Sequence, residues 1–205
     1  SAPIHAVYFG GGTPSALSAH DLARIITTLR EKLPLAPDCE ITIEGRVLNF
    51  DAERIDACLD AGANRFSIGI QSFNSKIRKK MARTSDGPTA IAFMEGLVKR
   101  DRAAVVCDLL FGLPGQNAAL WGEDLAIARD IGLDGVNLGF HLGGDQLLVV
   151  FVERPIHTTL GQAQVLDTRF PGALGGVIPG LVGGQANRLD HGGQHGARLQ
   201  VVLVG

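Results

Sequence analysis

The sequence predicts an α/β fold built on parallel strands, a partial (βα) barrel. Three observations predict it. Strand-like runs recur about every 25–40 residues with a helix-like segment between them, the alternation of βα units. The first run ends in Gly10-Gly11-Gly12-Thr13-Pro14, a loop of the kind found at the carboxyl ends of strands, where α/β folds place their ligands. No G-x-G-x-x-G and no Gly-Lys-Ser/Thr follows any strand, so the dinucleotide and Walker readings fail. A doubly wound sheet is the second choice.

The elements follow in order. Residues 5–9 read as a first buried strand. Glycines 10–12 let the backbone approach a ligand closely and take positive φ, and Pro14 restricts Thr13 to an extended shape. Ser18–Leu33 is a helix: Ser18 serves as N-cap, Asp21 stands three residues on, and Leu22, Ile25, Ile26, Leu29 and Leu33 form one stripe. Pro34 and Pro37 end it. Glu40–Glu44 is a second strand. Asp51 caps a second helix that buries Ile55, Cys58 and Leu59 and stops at Gly62. Arg65–Ile70 is the third strand, ending in Gln71. A short basic helix over 74–82 and a longer one over Pro88–Arg100 follow, Ser85 or Asp86 starting the second. Ala103–Leu110 is the fourth strand, closed by Phe111-Gly112-Leu113-Pro114-Gly115. A helix over Ala119–Ile131 leads to a fifth strand, Gly135–Leu138.

Composition narrows the class. The chain has 205 residues, 45% apolar, with a net charge of −2, so one sizeable core is attainable. No basic excess favours nucleic acid, no charge block favours a membrane surface, and no apolar run is long enough to span a bilayer. The start, Ser1-Ala2-Pro3-Ile4, has neither an initiator Met nor a signal sequence, and reads as a chain cut from something longer. Cys39, Cys58 and Cys107 lack metal-ligand spacing and read as small core residues of a reduced, cytoplasmic protein.

The text changes after Leu138. About half of the glycines lie from Gly139 onward, no Lys follows Lys99, and helical periodicity is lost. Residues 1–138 therefore read as the barrel core. Residues 139–205 read as an irregular, Gly-rich tail, non-native or translated in a shifted frame. His191 and His195 stand at i, i+4, but the surrounding glycines argue against a helix that would make them a metal pair.

The strand ends carry the chemistry. Gly10 to Thr13, Glu44, Gln71, Arg83 on the next helix, and Asp108 converge on one rim if the sheet is parallel. Two carboxylates, an amide, a guanidinium and open backbone suit a zwitterionic, hydroxyl-rich small molecule. Taken singly, Glu44 also reads as a salt-bridge partner, Gln71 as a turn-capping amide and Arg83 as a solvated helix residue. Asp108 interrupts the apolar run Val105-Val106-Cys107…Leu109-Leu110, and a buried carboxylate there needs a partner. No Ser, Cys or His nucleophile pattern supports a hydrolase.

The segments Tyr8-Phe9-Gly10-Gly11-Gly12-Thr13-Pro14-Ser15, Ile43-Glu44, Phe66-Ser67-Ile68-Gly69-Ile70-Gln71-Ser72-Phe73 and Asp108-Leu109-Leu110-Phe111-Gly112-Leu113-Pro114-Gly115-Gln116, in that order, resemble the radical S-adenosylmethionine family of oxygen-independent coproporphyrinogen oxidases. Glu44-Gly45-Arg46 followed by Asn49-Phe50-Asp51 is similar to its haem-utilisation, anaerobilin synthase-like branch of methyltransferases. The resemblance covers about residues 5–138. It implies a radical-type barrel lacking its first strand, and a substrate that is haem or another porphyrin, either opened anaerobically with methyl transfer or oxidised as coproporphyrinogen. It implies that Gly11, Gly12 and Thr13 hold the methionine end of S-adenosylmethionine. Glu44, Gln71, Arg83 and Asp108 would complete the pocket around its amino-acid and ribose parts. It further implies a [4Fe–4S] cluster on a Cys-x3-Cys-x2-Cys loop expected ahead of residue 1, and a reduced flavodoxin- or ferredoxin-type electron donor. The alternatives are a haem-binding chaperone of the same family and an inactive truncated product.

Overall fold

The computed structural model describes residues 2–11, 13–143, 146–153 and 201–204; from residue 140 on, only the backbone is described. Five parallel strands form the sheet's first part: β1 (Ile4–Phe9), β2 (Leu35–Gly45), β3 (Arg65–Gln71), β4 (Ala104–Phe111) and β5 (Gly135–Gly143). Their spatial order is their chain order, with no reversal. A doubly wound sheet would reverse direction at a switch point, so the winding is that of a barrel, here a partial one. The connecting helices are α1 (Ala19–Lys32), α2 (Ala52–Ala61), α3 (Ser75–Lys80), α4 (Gly87–Val98) and α5 (Ala118–Ile131).

The caps account for where the helices begin. The Ser18 hydroxyl accepts from Asp21 N–H, Asp51 from Arg54 N–H, Asn74 from Lys76 and Ile77 N–H, Asp86 from Thr89 N–H, and Asn117 from Leu120 N–H. Gly62 and Gly132 end α2 and α5 at φ of 104° and 82°. Loss of the first cap is a modest, measurable effect: Ser18→Ala is expected to lower stability by about 1 kcal/mol in urea denaturation.

The strand alternation splits the sheet into two chemically different faces. One carries Ile41, Ile43, Phe66, Ile68, Ile70, Val105, Cys107, Leu109 and Leu138, and packs with Leu22, Ile26, Ile55, Cys58, Met94, Leu97 and Trp121 of the helices into one core. The other face is largely polar and lines the barrel lumen.

Four strands differ from the sequence reading. β2 begins at Leu35, five residues early, with Pro37 inside it. The register jumps there from Ile4↔Leu35 to Ala6↔Glu40, so Pro37 sits in a bulge where no ladder donor is needed. β5 continues to Gly143, beyond Leu138. Two further strands, β6 (Gln146–Glu153) and β7 (Val201–Val204), extend the sheet antiparallel, β6 on β5 and β7 on β6. The sheet as a whole is thus mixed. The reading of 139–205 as non-native, and His191 and His195, otherwise fall outside the described residues. Among the described residues, no helix is long and apolar enough to cross a membrane.

Candidate functional site

Register decides which polar groups meet. Tyr8 pairs with Thr42, Glu44 with Ser67, Gly69 with Asp108, and Asp108 with Asn137. Paired positions on parallel strands point the same way, and alternate residues share a face. Tyr8, Thr42, Glu44, Ser67, Asp108 and Asn137 therefore all project into the lumen.

Asp108 is the best-satisfied carboxylate of this group. Its Oδ1 accepts from Asn137 Nδ2 at 2.7 Å and from Ser67 Oγ at 3.1 Å, and Asn137 Nδ2 also approaches Ser67 Oγ at 3.2 Å. Burial raises its pKa; these hydrogen bonds and the more distant Arg65 and Arg83 oppose that rise. Glu44 is raised as well, first by burial and then by the charge of Asp108, while a hydrogen bond from Gly11 N–H pulls it down. The Tyr8 hydroxyl is pushed up to about 12 by burial and by both carboxylates. The lumen thus holds a concentration of negative charge that a cationic ligand would relieve.

The glycine loop closes on Glu44. A Cβ at Gly10 would lie 3.0 Å from Glu44 Oε2 and 2.6 Å from the Tyr8 ring, so a larger residue there would have to displace these side chains. Gly11 has φ of 94° with open space around it, and Thr13 has φ of 69°, its N–H donating to Gly11 O at 2.6 Å. Thr13 is thus left-handed rather than extended as the following proline suggested; a turn through the glycines overrides that preference. Gly12 lies outside the described residues.

Gln71 also takes positive φ, 71°, where the β3–β4 register shifts. Its amide turns back over Gly69, whose added Cβ would sit 3.3 Å from Gln71 Nε2 and 4.0 Å from Asp108 Oδ2. A non-glycine residue in this region stores strain of order 1–3 kcal/mol, which surrounding structure must hold in place. Arg83 is not on a helix: α3 ends at Lys80 and α4 starts at Gly87, so Arg83 belongs to the link between them. It is half-buried and feels Arg46 on one side and Asp108 on the other. The structure therefore gathers Gly11, Glu44, Gln71 and Asp108 on one rim, with Arg83 at its edge; Thr13 stands just beyond the glycine loop.

Sequence reasoning missed Ser67 and Asn137, the partners of Asp108. The available signal was alternation: each is a polar residue between apolar neighbours, in Phe66-Ser67-Ile68 and Val136-Asn137-Leu138. It also missed two buried groups that fix the loops. Asp124 of α5 accepts from Phe73 N–H at 2.7 Å. Arg78 of α3 donates to Ile70 O at 2.8 Å, Ser72 O at 3.1 Å, Ser85 O at 2.8 Å and Ser85 Oγ at 2.6 Å.

A partial parallel barrel with a glycine loop, two lumen carboxylates and a glutamine at positive φ at the strand ends is a ligand-binding α/β framework, and the family comparison says which one. Residues 1–126 match the Radical SAM superfamily, and the chain belongs to it. Within that superfamily it is 96% identical over 138 residues to anaerobilin synthase of Escherichia coli O157:H7, covering 67% of this chain and 31% of that protein. It is 35% identical over 122 residues to the heme chaperone HemW of Lactococcus lactis, covering 60% of this chain and 32% of the relative. The solved coproporphyrinogen III oxidase (HemN) of Escherichia coli, described as a radical SAM enzyme, superposes with a TM-score of 0.61 at 26% identity, over 68% of this chain and 32% of that one. The chain thus spans about a third of the length of these relatives.

The superfamily uses S-adenosylmethionine and a [4Fe–4S] cluster. The rim suits the first: Asn137 Oδ1 is buried with no hydrogen-bond partner, and the backbone at Gly11 has open space around it. The described residues do not suit the second. Cys39, Cys58 and Cys107 are each buried separately, and no group of three or more His, Cys, Asp or Glu among the described residues is placed to hold a metal.

Proposed function

We propose that this chain is the S-adenosylmethionine-binding portion of a radical enzyme that acts on haem or a related porphyrin, opening the ring anaerobically with methyl transfer. The observation that carries the reading is the 96% identity to anaerobilin synthase over 138 residues, together with a lumen whose polar groups match the ligand's own. In this reading Gly11, Gly12 and Thr13 take the methionine end through their backbone. The Glu44 carboxylate takes the ammonium, the Arg83 guanidinium the carboxylate, and Asp108, aimed by Asn137 and Ser67, the ribose hydroxyls. Gln71 closes the pocket between Glu44 and Asp108. When bound, S-adenosylmethionine supplies an activated methyl group on a sulfonium centre. The carboxylates favour that positive charge, and the buried setting strengthens the attraction.

The domain reading goes with it: residues 1–138 form the barrel portion and residues 139–205 a segment of other origin. The 138-residue extent of the match to anaerobilin synthase supports this division. We also assign a cytoplasmic setting, a reduced flavodoxin- or ferredoxin-type electron donor, and no nucleic-acid or membrane partner. Three free, buried cysteines and the absence of a membrane-spanning helix among the described residues support that setting.

A haem-carrying role is the second reading, favoured by the 35% identity to the heme chaperone. Calorimetric titration of the chain with S-adenosylmethionine tests the first part of the proposal: saturable binding is expected, weakened about tenfold or more by Glu44→Ala. No binding would overturn it. Joined to a cluster-bearing amino-terminal segment and given dithionite, the enzyme consumes haem, whereas a carrier returns it unmodified.

A further inference from the structure

We propose that the ring of Tyr8 is the surface on which the sulfonium centre of S-adenosylmethionine rests, and that it makes the site select the charged sulfonium over the neutral thioether that remains once the methyl group has left. The proposal rests on the functional reading above, which assigns the methionine and ribose ends of the ligand, and adds which residue reads the centre between them.

Tyr8 is anchored at both ends of its ring. The Cδ1–Cε1 edge lies against the glycine loop, where a Cβ at Gly10 would come within 2.6 Å of Cε1 and 3.1 Å of Cδ1. The hydroxyl is hydrogen-bonded with Ser67, which itself donates to Asp108 Oδ1 at 3.1 Å. In the strand register Tyr8 pairs with Thr42, one lumen-facing position before Glu44, and Ser67 is the residue on β3 that pairs with Glu44. The ring therefore crosses the lumen face of β2 from β1 to β3. Although held at both ends, Tyr8 is 61% exposed, and among the described residues no aromatic ring packs on it.

The sulfur of S-adenosylmethionine joins the methionine chain to the ribose. A ligand gripped by its ammonium at Glu44 and by its ribose hydroxyls at Asp108 has its sulfur between these two groups. The Tyr8 ring lies along that line, anchored at Gly10 beside Glu44 Oε2 and at Ser67 beside Asp108. A cation over the face of an aromatic ring is attracted by the negative charge of that face, and more strongly where water is excluded. After burial, the charges of Glu44 and Asp108 act most on the phenol, whereas Arg65, 3.7 Å from Glu40, acts on it least. The hydroxyl, raised by burial and by both carboxylates, keeps its proton at neutral pH, so the ring stays uncharged and its anchor on Ser67 stays intact. Carboxylates and ring both favour a sulfonium over a thioether, but only the ring can be replaced without changing the charge of the site.

The 205-residue chain is titrated by calorimetry with S-adenosylmethionine and with S-adenosylhomocysteine, the neutral thioether that carries the same amino-acid, ribose and adenine groups. Tyr8→Leu is expected to weaken S-adenosylmethionine about fivefold and S-adenosylhomocysteine hardly at all, and Tyr8→Phe to keep most of the wild-type preference. A phenylalanine fluorinated around its ring, placed at position 8, keeps the shape and withdraws charge from the face. It is expected to lose the preference as leucine does, which separates the charge of the ring from its bulk. Circular dichroism checks the fold of each variant, and where Tyr8→Leu departs from the wild-type spectrum the fluorinated variant decides. An equal loss for both ligands in a folded Tyr8→Leu overturns the proposal and assigns the ring to the adenine or to the shape of the site. So does a wild-type preference in the fluorinated variant. In both cases a wild-type chain that binds S-adenosylmethionine leaves the functional reading standing. A wild-type chain that does not bind it overturns that reading and this proposal together.

Discussion

Arg78→Met is expected to destabilise the fold by about 3–5 kcal/mol, read as a large fall in the urea midpoint. Methionine fills much of the same volume, so the loss is one of hydrogen bonds rather than of packing. The Arg78 side chain is 2% exposed and donates to Ile70 O, Ser72 O and Ser85 O. Removing it leaves these acceptors in the interior without that donor, at about 1–3 kcal/mol for each group left unsatisfied. The site is expected to suffer too, because Arg78 ties the end of β3, where Gln71 holds its positive φ, to the link that carries Arg83. Arg78→Lys is expected to recover only a small part, since one ammonium cannot reach acceptors on opposite edges of the guanidinium. A midpoint for Arg78→Met within experimental error of wild type would show that water satisfies these carbonyls.

Asp108→Asn is expected to weaken S-adenosylmethionine binding by about 1–3 kcal/mol, the value of a hydrogen bond to a charged group. Stability is expected to move the opposite way with pH. Burial lifts the Asp108 carboxyl above its ordinary 3.8, so the folded chain holds this proton more tightly than the unfolded one. The unfolded state then binds fewer protons across the window from 3.8 up to the higher folded value, and stability declines as pH rises through it. Above that window the carboxylate remains a standing cost. Asparagine has no proton to lose, so its urea midpoint is expected to fall less between acid and neutral pH than that of the wild type. Glu44, raised for the same reason, contributes a decline of the same sign and keeps part of the slope in the variant. Parallel pH profiles for the two proteins would mean that Asp108 titrates as though exposed.

Both experiments bear on one feature: the site is assembled from residues far apart in the chain and is destabilising when empty. A half-buried carboxylate, a neighbour that raises it further, a glutamine at positive φ and a half-buried arginine disfavoured by the charge of Arg46 each carry a cost in the folded chain. The paired faces of the sheet show where that cost is met. The apolar face packs on the helices, and the lumen face collects the polar groups.

The sequence by itself determined the helices, some of their caps and the alternation of parallel strands with them, because those signals are local. Ser18 and Asp51 stand just before an apolar period begins, and Gly62 just after one ends; of the two starts the sequence left open for α4, Asp86 is the cap. It also determined that Asp108 needed partners, since a carboxylate within an apolar strand has no other way to be accommodated. Only the tertiary structure decided what those partners were. Asn137 and Ser67 lie 29 and 41 residues from Asp108, and strand register alone brings them within hydrogen-bond reach. Likewise, the basic run of α3 gives no local sign that Arg78 turns inward while Lys80 reaches the exposed Pro114 carbonyl. That choice depends on where three backbone carbonyls, one at the end of β3 and two in loops, end up, which pairing and packing of distant strands and helices settle.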